Sequence, residues 1–184
     1  MSYIGTTEIG KIFLGTTEIE KAYLGDTLVF QGKPVFTFSV VPSSSGGTST
    51  VSNAARAYTD ETSTTYANPR LGGQNVANSW YFKFNTSSLP ADATIVSVSC
   101  KAKANLTGTT SITPRTIGLY SGSTLKGSTQ TLTNKASVFT FSGATWTLSE
   151  LADARVTVYA TRTNTSSSPW LYFYGATLTV KYTL

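Results

Sequence analysis

The chain has 184 residues, no histidine, one cysteine and a net charge of +5 at pH 7. That length suits one ordinary domain plus an appendage. The missing histidine excludes Ser-His-Asp and Cys-His catalysis and most transition-metal sites, and a lone cysteine excludes an intrachain disulfide. Hydrophobic residues make up 40% of the chain and charged residues only 12%, against roughly a quarter charged in an average protein. Serine, threonine and glycine fill the difference, which is the composition of an all-β protein built from short strands and turns.

The first thirty residues are a tandem repeat with a period of ten. Ile4-Gly5-Thr6-Thr7-Glu8-Ile9-Gly10-Lys11-Ile12-Phe13 is followed by Leu14-Gly15-Thr16-Thr17-Glu18-Ile19-Glu20-Lys21-Ala22-Tyr23, and a diverged copy starts at Leu24-Gly25-Asp26-Thr27. Units this short cannot be helical repeats. Gly-Thr-Thr and Gly-Asp-Thr are turn sequences, because glycine accepts positive φ and Thr or Asp hydrogen-bonds the nearby backbone. Each unit therefore reads as one short strand and one tight turn. In a strand, Ile9, Lys11 and Phe13 share one face, and Gly10, Ile12 and Leu14 the other. Neither face is polar throughout, and three short strands are marginal alone. Ile9, Ile12, Phe13, Leu14, Ile19, Tyr23 and Leu24 are therefore expected to oligomerise the chain, as a dimer or trimer, or to dock it on a partner. The other reading of the repeat is a small meander folded back on the main domain.

The pattern hydrophobic-Gly-Thr/Asp-Thr-x-Ile/Val-x-Lys-x-Tyr/Phe-Leu over residues 4–30 resembles the short tandem units that open many bacteriophage virion proteins, among them minor head, fibre and baseplate-associated components. The resemblance implies assembly in a phage particle, with capsid or tail proteins as partners and synthesis in the host cytoplasm. No basic stretch followed by an apolar run opens the chain, so no signal peptide is expected. No segment approaches the ~20 apolar residues of a membrane span.

Gly32-Lys33-Pro34 closes the repeats, which sets the expected division at 1–33 (arm) and 34–184 (main domain). Residues 35–41 alternate as a strand. Residues 42–49, Pro-Ser-Ser-Ser-Gly-Gly-Thr-Ser, read as a flexible loop or hinge. A strand is expected within 50–58, a long polar loop over 59–77, and an aromatic-rich strand over 79–84. The clearest strand is 94–105, where Val96, Val98, Cys100, Ala102 and Ala104 alternate with polar residues. That phase buries Cys100, where apolar surroundings make a thiol inert. Further strands are expected at 115–120, 128–133, 138–141, 155–162, 170–174 and 176–182. One helical turn is expected at 148–153, capped by Ser149. Eight or more short strands with Gly, Ser and Pro turns indicate an antiparallel β-sandwich, a jelly roll.

The stretch Phe82-Lys83-Phe84-Asn85-Thr86-Ser87-Ser88-Leu89-Pro90-Ala91-Asp92-Ala93-Thr94-Ile95 resembles the F-D-hydroxyl-hydroxyl-apolar-P-x-x-A-T-I stretch of jelly-roll domains in secreted and cell-surface proteins, some of them carbohydrate-binding modules. The segments Trp146–Leu151 and Val180–Tyr182 resemble parts of similar domains in phage structural proteins. Asn85 stands where the family usually has Asp, which weakens any implication of bound calcium.

The arm carries three lysines and four acids, so its net charge is −1 and the rest of the chain carries +6. The main domain's basic residues are scattered singly, unlike the clustered charges of nucleic-acid binders. Its acids are Asp60, Glu61, Asp92, Glu150 and Asp153, and nothing in their spacing makes a facing catalytic pair. No compact Asp-x-Asp run marks a calcium loop. The expectation is a protein with no enzymatic activity, metal or cofactor. Binding falls to the aromatics Trp80, Tyr81, Trp146, Trp170, Tyr172 and Tyr174, whose flat faces suit sugar rings. Trp170 and Tyr172, with Trp80, are the preferred carbohydrate contacts, because Trp170 follows the polar tip at 163–169. The expected function is a phage virion structural protein (fibre, decoration or baseplate-associated) whose outer domain is exposed for host adhesion. The alternative is a carbohydrate-binding module with no virion role.

Overall fold

The computed structural model describes residues 3–4, 7–8, 12–14, 17–19, 21–24, 26–108, 111–163 and 169–184. The repeats form three antiparallel hairpins. β1 (Tyr3–Ile4) pairs β2 (Thr7–Glu8), β3 (Ile12–Leu14) pairs β4 (Thr17–Ile19), and β5 (Lys21–Leu24) pairs β6 (Thr27–Gln31). Each ten-residue period thus brings two short strands, not one, and the first strand of each hairpin crosses the boundary between copies. Among the described residues each hairpin is a separate two-stranded sheet, joined to none of the strands that follow.

Two larger sheets hold the rest. Their strands are β7 (Phe36–Val40), β8 (Pro42–Gly47), β9 (Ala77–Phe84), β10 (Thr94–Leu106), β11 (Ile112–Ser121), β12 (Thr124–Leu125), β13 (Gln130–Thr131), β14 (Ser137–Phe141), β15 (Ala154–Arg162) and β16 (Leu171–Thr183). One sheet runs β14-β10-β16-β7. The other runs β12-β11-β15-β9-β8, with β13 also on β11. The order β7-β16-β10-β14 over β9-β15-β11-β13 is that of a jelly-roll sandwich. The molecule is all-β, as its composition implies.

The core follows from period-two alternation. Trp80, Phe82 and Phe84 of β9, Val156 and Val158 of β15, and Ile117 and Leu119 of β11 enter it from one sheet. From the other come Val98, Cys100, Ala102 and Ala104 of β10 and Phe173, Leu178 and Val180 of β16. The small side chains of β10 leave volume for the large ones, as dense packing requires. The Phe82 and Phe173 rings stack with centroids 3.7 Å apart.

Several local expectations are corrected. Residues 42–47 form edge strand β8 on β9 despite their serines and glycines. Gly46 is needed there, because a Cβ would lie 2.5 Å from the Tyr81 hydroxyl oxygen. Residues 50–58 hold no strand; a 3-10 turn occupies Ala54–Ala57. The two expected strands at 170–182 are one. Val96 is not on the core face of β10: a register shift between Ile95 and Ser97 turns it outward, 49% exposed, and Ile95 packs inward instead. The cap of the helical turn α1 (Leu148–Leu151) is Thr147, not Ser149. It forms a capping box in which Glu150 N–H donates to Thr147 Oγ1 and Thr147 N–H donates to Glu150 Oε2 at 2.8 Å.

The long segment between the 3-10 turn and β9 is laced along β16. β7 covers β16 only at Leu178–Tyr182. Below that, Ala67 and Phe173 exchange backbone hydrogen bonds, Leu171 N–H donates to Pro69, and Ala176 N–H donates to Thr59. The backbone approaches so closely at Gly175 (φ 157°) that any Cβ would collide with the Thr59 and Asp60 carbonyl oxygens.

Candidate functional site: the hairpin arm and the aromatic surfaces

The expected docking residues divide as follows. Ile9 lies outside the described residues. Ile12, Phe13 and Leu14 make up β3, with Ile12 opposite Ile19 across the hairpin. Ile19 is half-buried. Tyr23 and Leu24 are 58% and 77% exposed. Tyr23 lies opposite Leu28, itself 44% exposed, so the two share a face. Leu24, the next residue in β5, points to the other face. The last hairpin thus shows large apolar side chains to solvent on both faces. Val35 and Phe36, where the sandwich begins, are also exposed, and Phe36 stacks on Tyr182 at 5.6 Å.

Of the expected sugar contacts, Trp80 is corrected. It is wholly buried, and its indole N–H donates to Ser49 Oγ at 3.0 Å, so neither ring face is available. Trp146 is also buried. Trp170 is half-buried. Its backbone N–H donates to Thr107 Oγ1, and the Arg70 guanidinium lies 5.9 Å from its ring centre. Tyr172 and Tyr174 are capped edge-on by Tyr66 at 4.5 and 5.3 Å, and Lys103 Nζ sits over Tyr174. These rings form a cation-aromatic layer beneath the laced segment, not an open platform. Most of the polar tip, residues 164–168, lies outside the described residues.

Asp60, Glu61, Glu150 and Asp153 each have a local partner. Asp60 accepts from the Thr62 hydroxyl and N–H, which hold its carboxyl below the ordinary range. Glu61 accepts from Thr177 Oγ1. The Lys126 ammonium, 2.7 Å away, and the Thr147 N–H do the same for Glu150. Asp153 pairs Lys83 at 2.8 Å. Among the described residues no three His, Cys, Asp or Glu side chains gather as a metal site. Cys100 is fully buried, and burial pushes its thiol well above the ordinary range.

One surface carried no signal as a motif. The solvent face of the second sheet brings Tyr81 of β9 beside Arg155, Thr157 and Tyr159 of β15, with Thr157 directly opposite Tyr81. They line a groove of about 340 Å³ with Ser79, Thr48 and the Gly122-Ser123 turn. Alternation within 155–162 could have located it: Arg155, Thr157 and Tyr159 must share the face opposite Val156 and Val158.

The chain matches no protein-family model, no curated protein and no solved structure.

Proposed function

We propose that the chain is a non-enzymatic virion structural protein. Its hairpin arm gathers copies of the chain into an oligomer within a phage particle, and its sandwich is the outward, ligand-facing part. The carrying observation is the exposure of Tyr23, Leu24 and Leu28 on a hairpin that, among the described residues, pairs with no other strand. A two-stranded hairpin is marginal in water, and burying each large apolar side chain is worth about 1.5–3 kcal/mol. A partner surface therefore supplies what the hairpin lacks. The resemblance of residues 4–30 to phage tandem units supports placing that partner in a virion.

Sedimentation velocity of the full chain tests the reading. The parent sediments as a dimer or trimer, and the Tyr23→Ser/Leu24→Ser/Leu28→Ser variant as a monomer. If both sediment as the same monomer, self-assembly through the arm is wrong. The groove beside Tyr159 favours a second reading, a carbohydrate-binding module with no virion role. Virion genes flanking the coding sequence support the first reading; glycan-degrading enzyme genes in their place support the second.

A further inference from the structure

The solvent face of a sandwich sheet needs no large aromatic side chains, yet this one presents two, Tyr81 and Tyr159. Tyr81 is held from both sides. Gly46 leaves room for its hydroxyl end to cross the edge strand, and the Arg155 guanidinium lies 4.7 Å from its ring centre. Arg155 is fixed in turn: its Nε–H donates to the Gly122 carbonyl at 2.7 Å, and Nη2 lies 4.0 Å from Asp153. Tyr159 is 38% exposed, with the Tyr120 ring edge-on at 5.8 Å. Between them Thr157 is only 4% exposed, and its hydroxyl oxygen has no hydrogen-bond partner among the described residues. An unmet buried hydroxyl costs about 1–3 kcal/mol, which a fold tolerates readily where something else supplies the bond.

We propose that this groove is a saccharide-binding site that takes a pyranose ring of a glycan. The ring's C–H face lies against Tyr159, where flat apolar area remains open. Its hydroxyls meet Thr157, Ser79 and the Arg155 guanidinium, which donates in a fixed fork geometry. Because Tyr81 and Arg155 are already locked, little side-chain freedom is lost on binding. The inference rests on the reading of the sandwich as the ligand-facing part, and does not require the arm to oligomerise.

The test is affinity electrophoresis of the full chain in gels holding hydroxyethylcellulose, dextran or polygalacturonate. The parent is retarded in at least one gel. Tyr159→Ala weakens retention on the order of tenfold, Thr157→Val weakens it less, and Trp170→Ala leaves it unchanged; all melt as the parent does. The monomeric arm variant keeps the retardation per chain, which separates failure of the groove from failure of the arm. No retardation in any gel overturns the proposal. So does retention that survives Tyr159→Ala but not Trp170→Ala, and so does retention on polygalacturonate alone that salt removes equally from every variant.

Discussion

The arm and the sandwich are both built from antiparallel strands, yet they solve burial differently. In the sandwich two sheets face each other, so every inward side chain finds cover and the outward residues are mostly polar. The arm's strands are two to five residues long and paired only in twos. With no second layer among the described residues, Tyr23, Leu24 and Leu28 stay in water. Strand pairing alone organises a backbone; stacking of sheets is what removes apolar surface from solvent.

The contrast is open to attack at several points. The largest effect falls in the core. Phe82→Ala removes a wholly buried ring stacked on Phe173 and should lower stability by about 3–5 kcal/mol, measured by urea unfolding. The arm substitutions Tyr23→Ser and Leu24→Ser should leave the melting of a monomer unchanged. A comparable loss from both would mean that the arm packs on the sandwich after all.

Gly175→Ala comes next. It places a Cβ against the Thr59 and Asp60 carbonyl oxygens and forbids the observed φ. A loss of about 1–3 kcal/mol is expected, with limited proteolysis opening first between the 3-10 turn and β9. Equal protease resistance would show that the lacing there is dispensable.

Thr147→Ala breaks the capping box and should cost about 1 kcal/mol. Its partner makes the effect pH-dependent. Because the folded-state value of Glu150 is lowered from 4.5, chiefly by Lys126 and then by Thr147, its stabilisation is present above 4.5 and lost as pH falls through the lowered value. Glu150→Gln should flatten the acid limb of the melting profile there; an unaltered limb would show that this carboxylate contributes nothing. Breaking the exposed Lys83–Asp153 pair should change stability by less than about 1 kcal/mol. Cys100 serves as a reporter throughout: with its thiol buried and kept protonated, its labelling rate should track opening of the sandwich and ignore the arm.

Much of this architecture was legible in residue pattern. Alternation alone placed Cys100, Ala102 and Ala104 on the buried face of β10, and the decapeptide period marked out the arm as a run of short strands. What stayed hidden depended on tertiary neighbours. Serines and glycines at 42–47 read as breakers, yet they form a strand because β9 supplies the hydrogen bonds and Tyr81 needs Gly46 bare. Val96 fitted the inward phase until one bulge shifted it. Trp80 and Tyr81 are adjacent and equally aromatic, but one strand step separates full burial from the groove. Tyr159 announced itself only through the phase of its strand, and the Arg155–Tyr81 stack only through cross-strand register.

Amide hydrogen exchange of the full chain, followed across protein concentration, sets the two regions side by side in one experiment. Protection at Lys21–Leu24 and Thr27–Gln31 should rise with concentration as copies assemble, while Thr94–Leu106 stays strongly protected throughout. Strong protection of both segments in the most dilute sample would contradict the claim that the arm depends on a surface beyond its own chain.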